Sequence, residues 1–193
     1  MTERSAGPAT TTVVVMGVSG SGKTTIAKEI VARLGWDYAE GDEFHPAANV
    51  AKMGAGIPLG DEDRWPWLRA LAAWIGGHEL AGSSAAVTCS ALRRPYRDLL
   101  RDGHPSVWFV HVDVHRDVLR ERLASRRGHY MPASLLDSQL AALEPLDPDE
   151  PGTVIPGDDA PAIVVGHVLE AMRAAGRVAG AGHRQRHSRT CGC

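Results

Sequence analysis

The sequence predicts an α/β domain of three layers, a mostly parallel five-stranded sheet with helices on both faces. Three observations predict it. Short continuous apolar runs, each of strand length, recur along the chain. Between them lie longer segments whose apolar residues return at helical spacing. The length of 193 residues suits one domain with a sizeable core and a loose end, and no internal repeat divides it.

Residues 1–11 are rich in Thr, Ala and Pro and read as a disordered N-terminus. Thr12-Val13-Val14-Val15-Met16 is β-branched and stops at Gly17, as a buried parallel strand does. From Thr24 to Leu34 the apolar residues Ile26, Ala27, Ile30, Val31 and Leu34 share one helical face, with Gly35 just past the end. Trp36 to Glu40 is a weaker strand ending at Gly41-Asp42, and Pro46 suits the first turn of a short helix. Asp61 to Leu80 carries Trp65, Leu68, Leu71, Ala72 and Ile75 on one face. Its three leading acids stand where the helix dipole favours negative charge.

Ala85 to Cys89 is the next strand, followed by a helix through about Arg101. Val107 to Val112 is the fourth strand, and helical patterns cover Arg116 to Arg126 and Pro132 to Leu143. A short last strand near Thr153-Val154-Ile155 precedes a closing helix from about Ala160 to Ala175. The domain thus spans residues 12–176. Residues 177–193, rich in Gly, Arg and His, read as a disordered basic tail.

Composition excludes several classes. A hydrophobic share of 44% and a formal net charge of −2 point neither to nucleic acid nor to an anionic membrane. No apolar run approaches the roughly 20 residues of a membrane span, and no signal-peptide core opens the chain, so a cytoplasmic protein is expected. Three cysteines make no disulfide framework. Cys89 in its apolar run reads as a buried free thiol, and Cys191 and Cys193 lack the second cluster a metal site needs. Of 21 basic residues only three are lysines, and Lys23 is one of them.

Lys23 belongs to the most informative motif. Gly17-Val18-Ser19-Gly20-Ser21-Gly22-Lys23-Thr24, followed by Thr25, satisfies G-x-x-x-x-G-K-[ST] completely, with a strand entering and a helix leaving. Its glycines let successive N–H groups curl inward onto phosphate oxygens, and the helix start adds its positive dipole end. Lys23 can reach the β- and γ-phosphates, and the Thr24 hydroxyl can ligate Mg²⁺. The bland reading, a Gly/Ser-rich turn, does not account for the flanks. ATP and Mg²⁺ are therefore the expected cofactors, in a P-loop NTPase fold with a small lid.

The kind of P-loop protein follows from what surrounds the loop. No Asn-Lys-x-Asp motif is present, since the only Asn is Asn49, which argues against a GTPase. Val110-His111-Val112-Asp113 imitates the acid-ended strand of larger ATPases, but equally reads as a strand end leading into a helix. Ligands in such sheets collect at the carboxyl ends of the strands. That rule places Asp42, just past the second strand, over the phosphate site; its alternative is capping the next helix.

The stretch Glu40-Gly41-Asp42-Glu43-Phe44-His45-Pro46, with Asn49, Lys52-Met53, Gly56, Pro58-Leu59, Asp61, Asp63-Arg64 and Pro66-Trp67-Leu68, resembles the gluconokinase family. Cys89-Ser90-Ala91-Leu92, Tyr96-Arg97-Asp98-Leu99-Leu100-Arg101, Arg122-Leu123, Arg126 and Gly128-His129 agree with it, so the resemblance covers roughly residues 12–175. It implies phosphoryl transfer from ATP to the 6-hydroxyl of D-gluconate, a fold like shikimate and adenylate kinases, a mobile lid, and often a homodimer. Two features depart from the family pattern: Val154-Ile155-Pro156-Gly157-Asp158-Asp159 replaces a more usual Val-Asp, and the tail from Arg177 has no counterpart.

The resemblance implies that Asp42 accepts a hydrogen bond from the attacking hydroxyl and serves Mg²⁺ through water. Gluconate, with a carboxylate and five hydroxyls, calls for planar cationic donors and neutral partners. Arg64 and Arg97 are the expected carboxylate or hydroxyl binders, and Arg64 could alternatively pair with Asp61 or Glu62. His45, Lys52, Ser90 and His129 are expected polar neighbours of the sugar, Gln139 a further one; His45 before Pro46 could instead cap a helix. Arg122 is expected at the nucleotide. Residues 127–132 form the expected lid, and Arg126 the phosphate contact beside it. Competing readings are a kinase for shikimate or another small sugar acid, and a nucleotide-binding module without turnover.

Overall fold

The computed structural model describes residues 10–125 and 133–178. Five strands, β1 (Thr12–Met16), β2 (Asp37–Glu40), β3 (Ala85–Thr88), β4 (Val107–Asp113) and β5 (Gly152–Pro156), form one sheet in the order β2-β3-β1-β4-β5. Every neighbouring pair is parallel, so the mostly parallel sheet of the sequence reading is wholly parallel. Parallel neighbours need crossovers, and helices supply them. They are α1 (Lys23–Leu34), α2 (Ala47–Gly54), α3 (Asp61–Ala81), α4 (Arg94–Arg101), α5 (Arg116–Ser125), α6 (Ala133–Ala142) and α7 (Pro161–Ala174).

The period-2 alternation of β1 explains the three layers. Val13 and Val15 join one core with Ile26, Ala27 and Ile30 of α1, Leu119 of α5, Leu136 of α6, and Val164, Val165 and Val168 of α7. Val14 and Met16 face the other way, onto Trp67, Leu68, Leu71 and Ile75 of α3 and Tyr96 and Leu100 of α4. Leu68, Leu71 and Ile75 are fully buried, each contributing about 1.5–3 kcal/mol. β1 lies in the middle of the sheet, buried on both faces, which is why it reads as an unbroken apolar run. Pro156 is tolerated because β5 is an edge strand.

Element boundaries differ from the sequence reading by a residue or two at most ends. One difference has a cause outside local pattern. Thr10 and Thr11, grouped by composition with the N-terminal stretch, are buried. Thr11 accepts the Ala85 N–H at 3.0 Å, and its hydroxyl donates to the Arg177 carbonyl at 2.8 Å. These partners lie far along the chain, so composition could not reveal them.

Candidate active site

The carboxyl ends of β1, β2 and β3 converge on one rim of the sheet, and the candidate site is built there. β1 runs into the glycine-rich loop. Gly17 adopts φ 138°, a conformation that favours glycine, and a Cβ there would meet the Val112 carbonyl at 2.9 Å. Its N–H donates to the Ser90 carbonyl at 3.3 Å, which ties the loop to the end of β3. Val18 is buried in the core beneath the loop and Ser21 is 2% exposed, whereas Thr25 faces outward from the first turn of α1. Gly22 caps α1 in a left-handed conformation, so the free N–H groups of that helix open toward the loop.

Lys23 bends back over the loop, donating to the carbonyls of Gly17 at 3.1 Å and Val18 at 3.0 Å. The Ser19 N–H donates to Gln139 Oε1 of α6 at 2.7 Å. The Thr24 hydroxyl donates to Glu40 Oε2 at 3.0 Å, and Tyr38 donates to the same oxygen at 2.5 Å. Thr88 donates to the other Glu40 oxygen. Burial pushes the Glu40 pKa up, but the hydroxyls of Thr88, Tyr38 and Thr24, with Lys23 beyond them, outweigh it and hold the carboxyl below its usual range. Glu40 is thus a carboxylate with three hydroxyl donors, directly behind Thr24. The sequence reading quoted Glu40 but gave it no role; its position at the last residue of β2, two before Asp42, was the available signal.

Gly41 sets the position of Asp42. A Cβ on Gly41 would fall 1.9 Å from the Thr88 carbonyl, so only glycine allows β2 to leave the sheet this close to β3. The Gly41 N–H donates to the Thr88 hydroxyl at 3.1 Å, and its carbonyl accepts Trp67 Nε1 at 2.7 Å. So held, the chain turns through a 3₁₀ segment, Gly41–Phe44, which leaves the Asp42 carboxylate exposed beside the loop. His45 stacks on Trp67 with centroids 4.2 Å apart, and its Nδ1 lies 3.3 Å from Asn49 Nδ2. Burial lowers the His45 pKa, and Arg64 lowers it further against the opposing pull of Asp42. Neutral imidazole is therefore favoured between Asp42 and Arg64.

Arg64 lies on the first turns of α3 and is partly exposed. It donates to the Tyr96 hydroxyl at 3.0 Å and stands 3.6 Å from Asp61, so the anticipated ion pair is present, in a cluster with Arg93. Lys52 is engaged by Asp63 at 2.6 Å, and Asp63 also accepts the Gly60 N–H that opens α3. Ser90 sits on the rim through its carbonyl contact with Gly17.

Arg97 corrects the sequence reading. It is 0% exposed, and its Nε and Nη2 hold both oxygens of Glu150 at 2.6 and 2.8 Å. Its other N–H groups meet the carbonyls of Ala91, Leu92, Glu144 and Pro145. All five donors are thereby occupied by the protein, so Arg97 clamps the segment before β5 onto α4 and has no donor to offer a sugar acid. Arg126, His129 and the expected lid 127–132 lie outside the described residues, as do Cys191 and Cys193. Cys89 is buried and free, and burial pushes its thiol up to about 12.

On the other side of the loop, a cavity of about 280 Å³ is lined by Gly20, Gly22, Thr25, Arg122, Gly157 and Asp159, among others. Arg122 Nη2 donates to the Gly157 carbonyl at 2.8 Å, fixing the segment after β5 that departs from the family pattern. The rim therefore presents two sides across the phosphate loop. One holds this cavity by α5 and α7; the other, by the 3₁₀ segment and α3, carries Asp42, His45 and Arg64.

Loop, sheet order and two-sided site define an ATP-dependent kinase of the P-loop class. Residues 13–146 match the family model described as AAA domain. Over 162 residues the chain is 48% identical to a gluconokinase of Gluconobacter oxydans, covering 84% of this chain and 91% of that protein. A sugar kinase from Janibacter superposes with a TM-score of 0.81 at 53% identity, over 89% of this chain and 99% of the other. A gluconokinase from Sinorhizobium meliloti does so with a TM-score of 0.75 at 40% identity, over 86% and 93%. The chain belongs to the gluconokinase family.

Proposed function

We propose that the protein transfers the γ-phosphoryl group of ATP to the 6-hydroxyl of D-gluconate, giving ADP and 6-phosphogluconate. The observation that carries this reading is the convergence of Asp42, His45 and Arg64 beside the phosphate loop, on the block that gives the family its character. Arg64 supplies a planar cation for the gluconate carboxylate or its hydroxyls. Asp42 accepts a hydrogen bond from the attacking hydroxyl and aims its lone pair along the line of transfer. His45, kept neutral, adds a hydrogen-bond partner without adding charge.

Thr24 and Asp42 are hard oxygen donors, with Glu40 behind Thr24 orienting it, and they fit Mg²⁺, which takes one or two protein oxygens together with phosphate and water. Because the Thr24 hydrogen points to Glu40, its oxygen lone pairs are left for a cation. Bound there, Mg²⁺ would neutralise charge on the β- and γ-phosphates. Lys23, released from the loop carbonyls, supplies a second positive charge to the same oxygens. No helix among the described residues is long and apolar enough to cross a membrane. The reading is of a cytoplasmic enzyme, supported by its dependence on ATP and its free thiol.

An ADP-release assay with ATP, Mg²⁺ and gluconate tests the proposal. The wild type should release ADP only when gluconate is present, and Lys23→Ala should lower turnover by orders of magnitude. Near wild-type rates in Lys23→Ala would remove the loop from the mechanism.

A further inference from the structure

α3 and α4 pack into the same core on one face of the sheet, and their first turns meet around Tyr96. Tyr96 is 3% exposed, with its hydroxyl between Asp61 and Arg64 of α3. Arg64 Nη1 donates to the phenol oxygen at 3.0 Å, and the phenol donates to Asp61 Oδ1 at 2.5 Å. That hydroxyl, with Arg93 and Arg64, outweighs desolvation and holds the Asp61 carboxyl below its usual range, so Asp61 is a carboxylate. A guanidinium only donates and a carboxylate only accepts. The phenol proton is therefore committed to Asp61, and the phenol lone pair to Arg64.

Asp61 is held from its other side by Arg93, at the N-cap position of α4. Arg93 Nη1 lies 2.9 Å from Asp61 Oδ2 and 3.3 Å from Oδ1, and Arg93 Nε stands 3.7 Å from Glu144. Both Asp61 oxygens are thus engaged by Arg93 or Tyr96. Arg64 Nη1 stays 3.6 Å from Asp61, beyond hydrogen-bond reach. An acid three residues before an arginine on a helix would ordinarily pair with it directly. Here a neutral phenol is interposed, and a different arginine answers the charge of the acid. Among the described residues, Tyr96 is the one hydrogen-bond partner of Arg64. Arg64 therefore keeps most of its donor fork and its charge for an anion.

We propose that Tyr96, Asp61 and Arg93 are positioning residues that keep the Arg64 guanidinium in place and unspent for the anionic sugar acid. Tyr96 fixes where the fork stands. Arg93 holds the Asp61 carboxylate, which would otherwise close the remaining gap and compete with the substrate for Arg64. The three residues act through Arg64 and need no contact with the substrate. The inference deepens the role given to Arg64 above and rests on it.

The test measures kcat and the KM values for gluconate and ATP in Tyr96→Phe, Arg93→Gln, Arg64→Ala and the double variant Arg93→Gln/Asp61→Asn. Tyr96→Phe keeps the buried ring and removes only the oxygen. It should raise the KM for gluconate about 5- to 10-fold, with kcat and the KM for ATP changed by less than about twofold. Arg93→Gln, which releases Asp61 toward Arg64, should raise the KM for gluconate by a similar factor. Adding Asp61→Asn removes the competing charge and should bring that KM back to within about twofold of wild type. A contact that only supports the fold would show no such rescue. If Arg64→Ala raises the KM for gluconate but Tyr96→Phe leaves it within twofold of wild type, the positioning role is overturned. Failure of Asp61→Asn to rescue Arg93→Gln would also overturn it. A wild-type KM in Arg64→Ala would instead overturn the reading of Arg64 itself, and the positioning role with it.

Discussion

The Thr24 hydroxyl donates to Glu40 Oε2 at 3.0 Å, so the residue that ends the phosphate loop is oriented by the residue that ends the neighbouring-but-one strand. A hydroxyl whose hydrogen is taken presents only lone pairs to the other side. Glu40 itself is fixed by Tyr38 and Thr88, which makes the orientation a property of the sheet rim. With Thr24 as the proposed Mg²⁺ ligand, Glu40 is its outer partner, and such partners are commonly worth 10- to 100-fold in metal affinity or activity.

Glu40→Gln should therefore raise the Mg²⁺ concentration needed for half-maximal activity by about 10-fold or more, with nucleotide affinity in the absence of metal little changed. A Mg²⁺ titration of initial rates checks this. An unshifted titration would confine Glu40 to holding β2 against β3.

Asp42→Asn should lower kcat by about 100-fold or more while leaving ATP affinity intact, because the proposed role of the carboxylate is to act on the attacking hydroxyl. Rates at saturating substrates, together with calorimetric ATP binding, separate the two quantities. An unchanged kcat would return Asp42 to the role of a helix-capping acid.

Arg64→Ala should raise the KM for gluconate by about 10- to 100-fold, the scale of a charged hydrogen bond, with a smaller change in kcat. Arg64→Lys should recover little, because an ammonium lacks the planar fork and cannot keep the Tyr96 contact in the same geometry. A variant with wild-type KM would leave Arg64 as a partner of Asp61 alone.

Arg97→Met should destabilise the fold by about 3–5 kcal/mol, because it strands the buried Glu150 carboxylate. The pH dependence has a definite sign. Burial pushes the Glu150 pKa up, but Arg97 and the Asp147 N–H outweigh it, so the folded value lies below the ordinary 4.5. The pair's contribution is then complete above about pH 4.5 and is lost as pH falls through the folded pKa. Melting temperatures across acid pH should drop more steeply for wild type than for Glu150→Gln. Parallel curves would contradict the assignment.

Much of this arrangement was legible in the sequence, for physical reasons that differ by residue. β1 and the loop are local: a β-branched run, fixed glycines and a helix start leave little freedom. Asp42 follows from the sheet rule once Gly41 ends β2. Arg97 was misread because a cation in sequence shows its charge and not its partner, and Glu150 lies on a segment after α6. Lys52 shows the same limit, since the carboxylate of Asp63 already engages it. Glu40 was overlooked because its chemistry depends on three hydroxyls brought together from β2, β3 and α1. Contacts of that kind appear only when parallel strands align their ends.

The central claim is that one compartment takes ATP and the other takes gluconate. A panel of sugar acids, with gluconate and shikimate among them, can be assayed for ADP release with ATP and Mg²⁺. Gluconate should be preferred over every other acid by at least 100-fold in kcat/KM, with the phosphate on the 6-hydroxyl by phosphorus NMR. ADP release without preference for gluconate would contradict the account of the Asp42, His45 and Arg64 compartment.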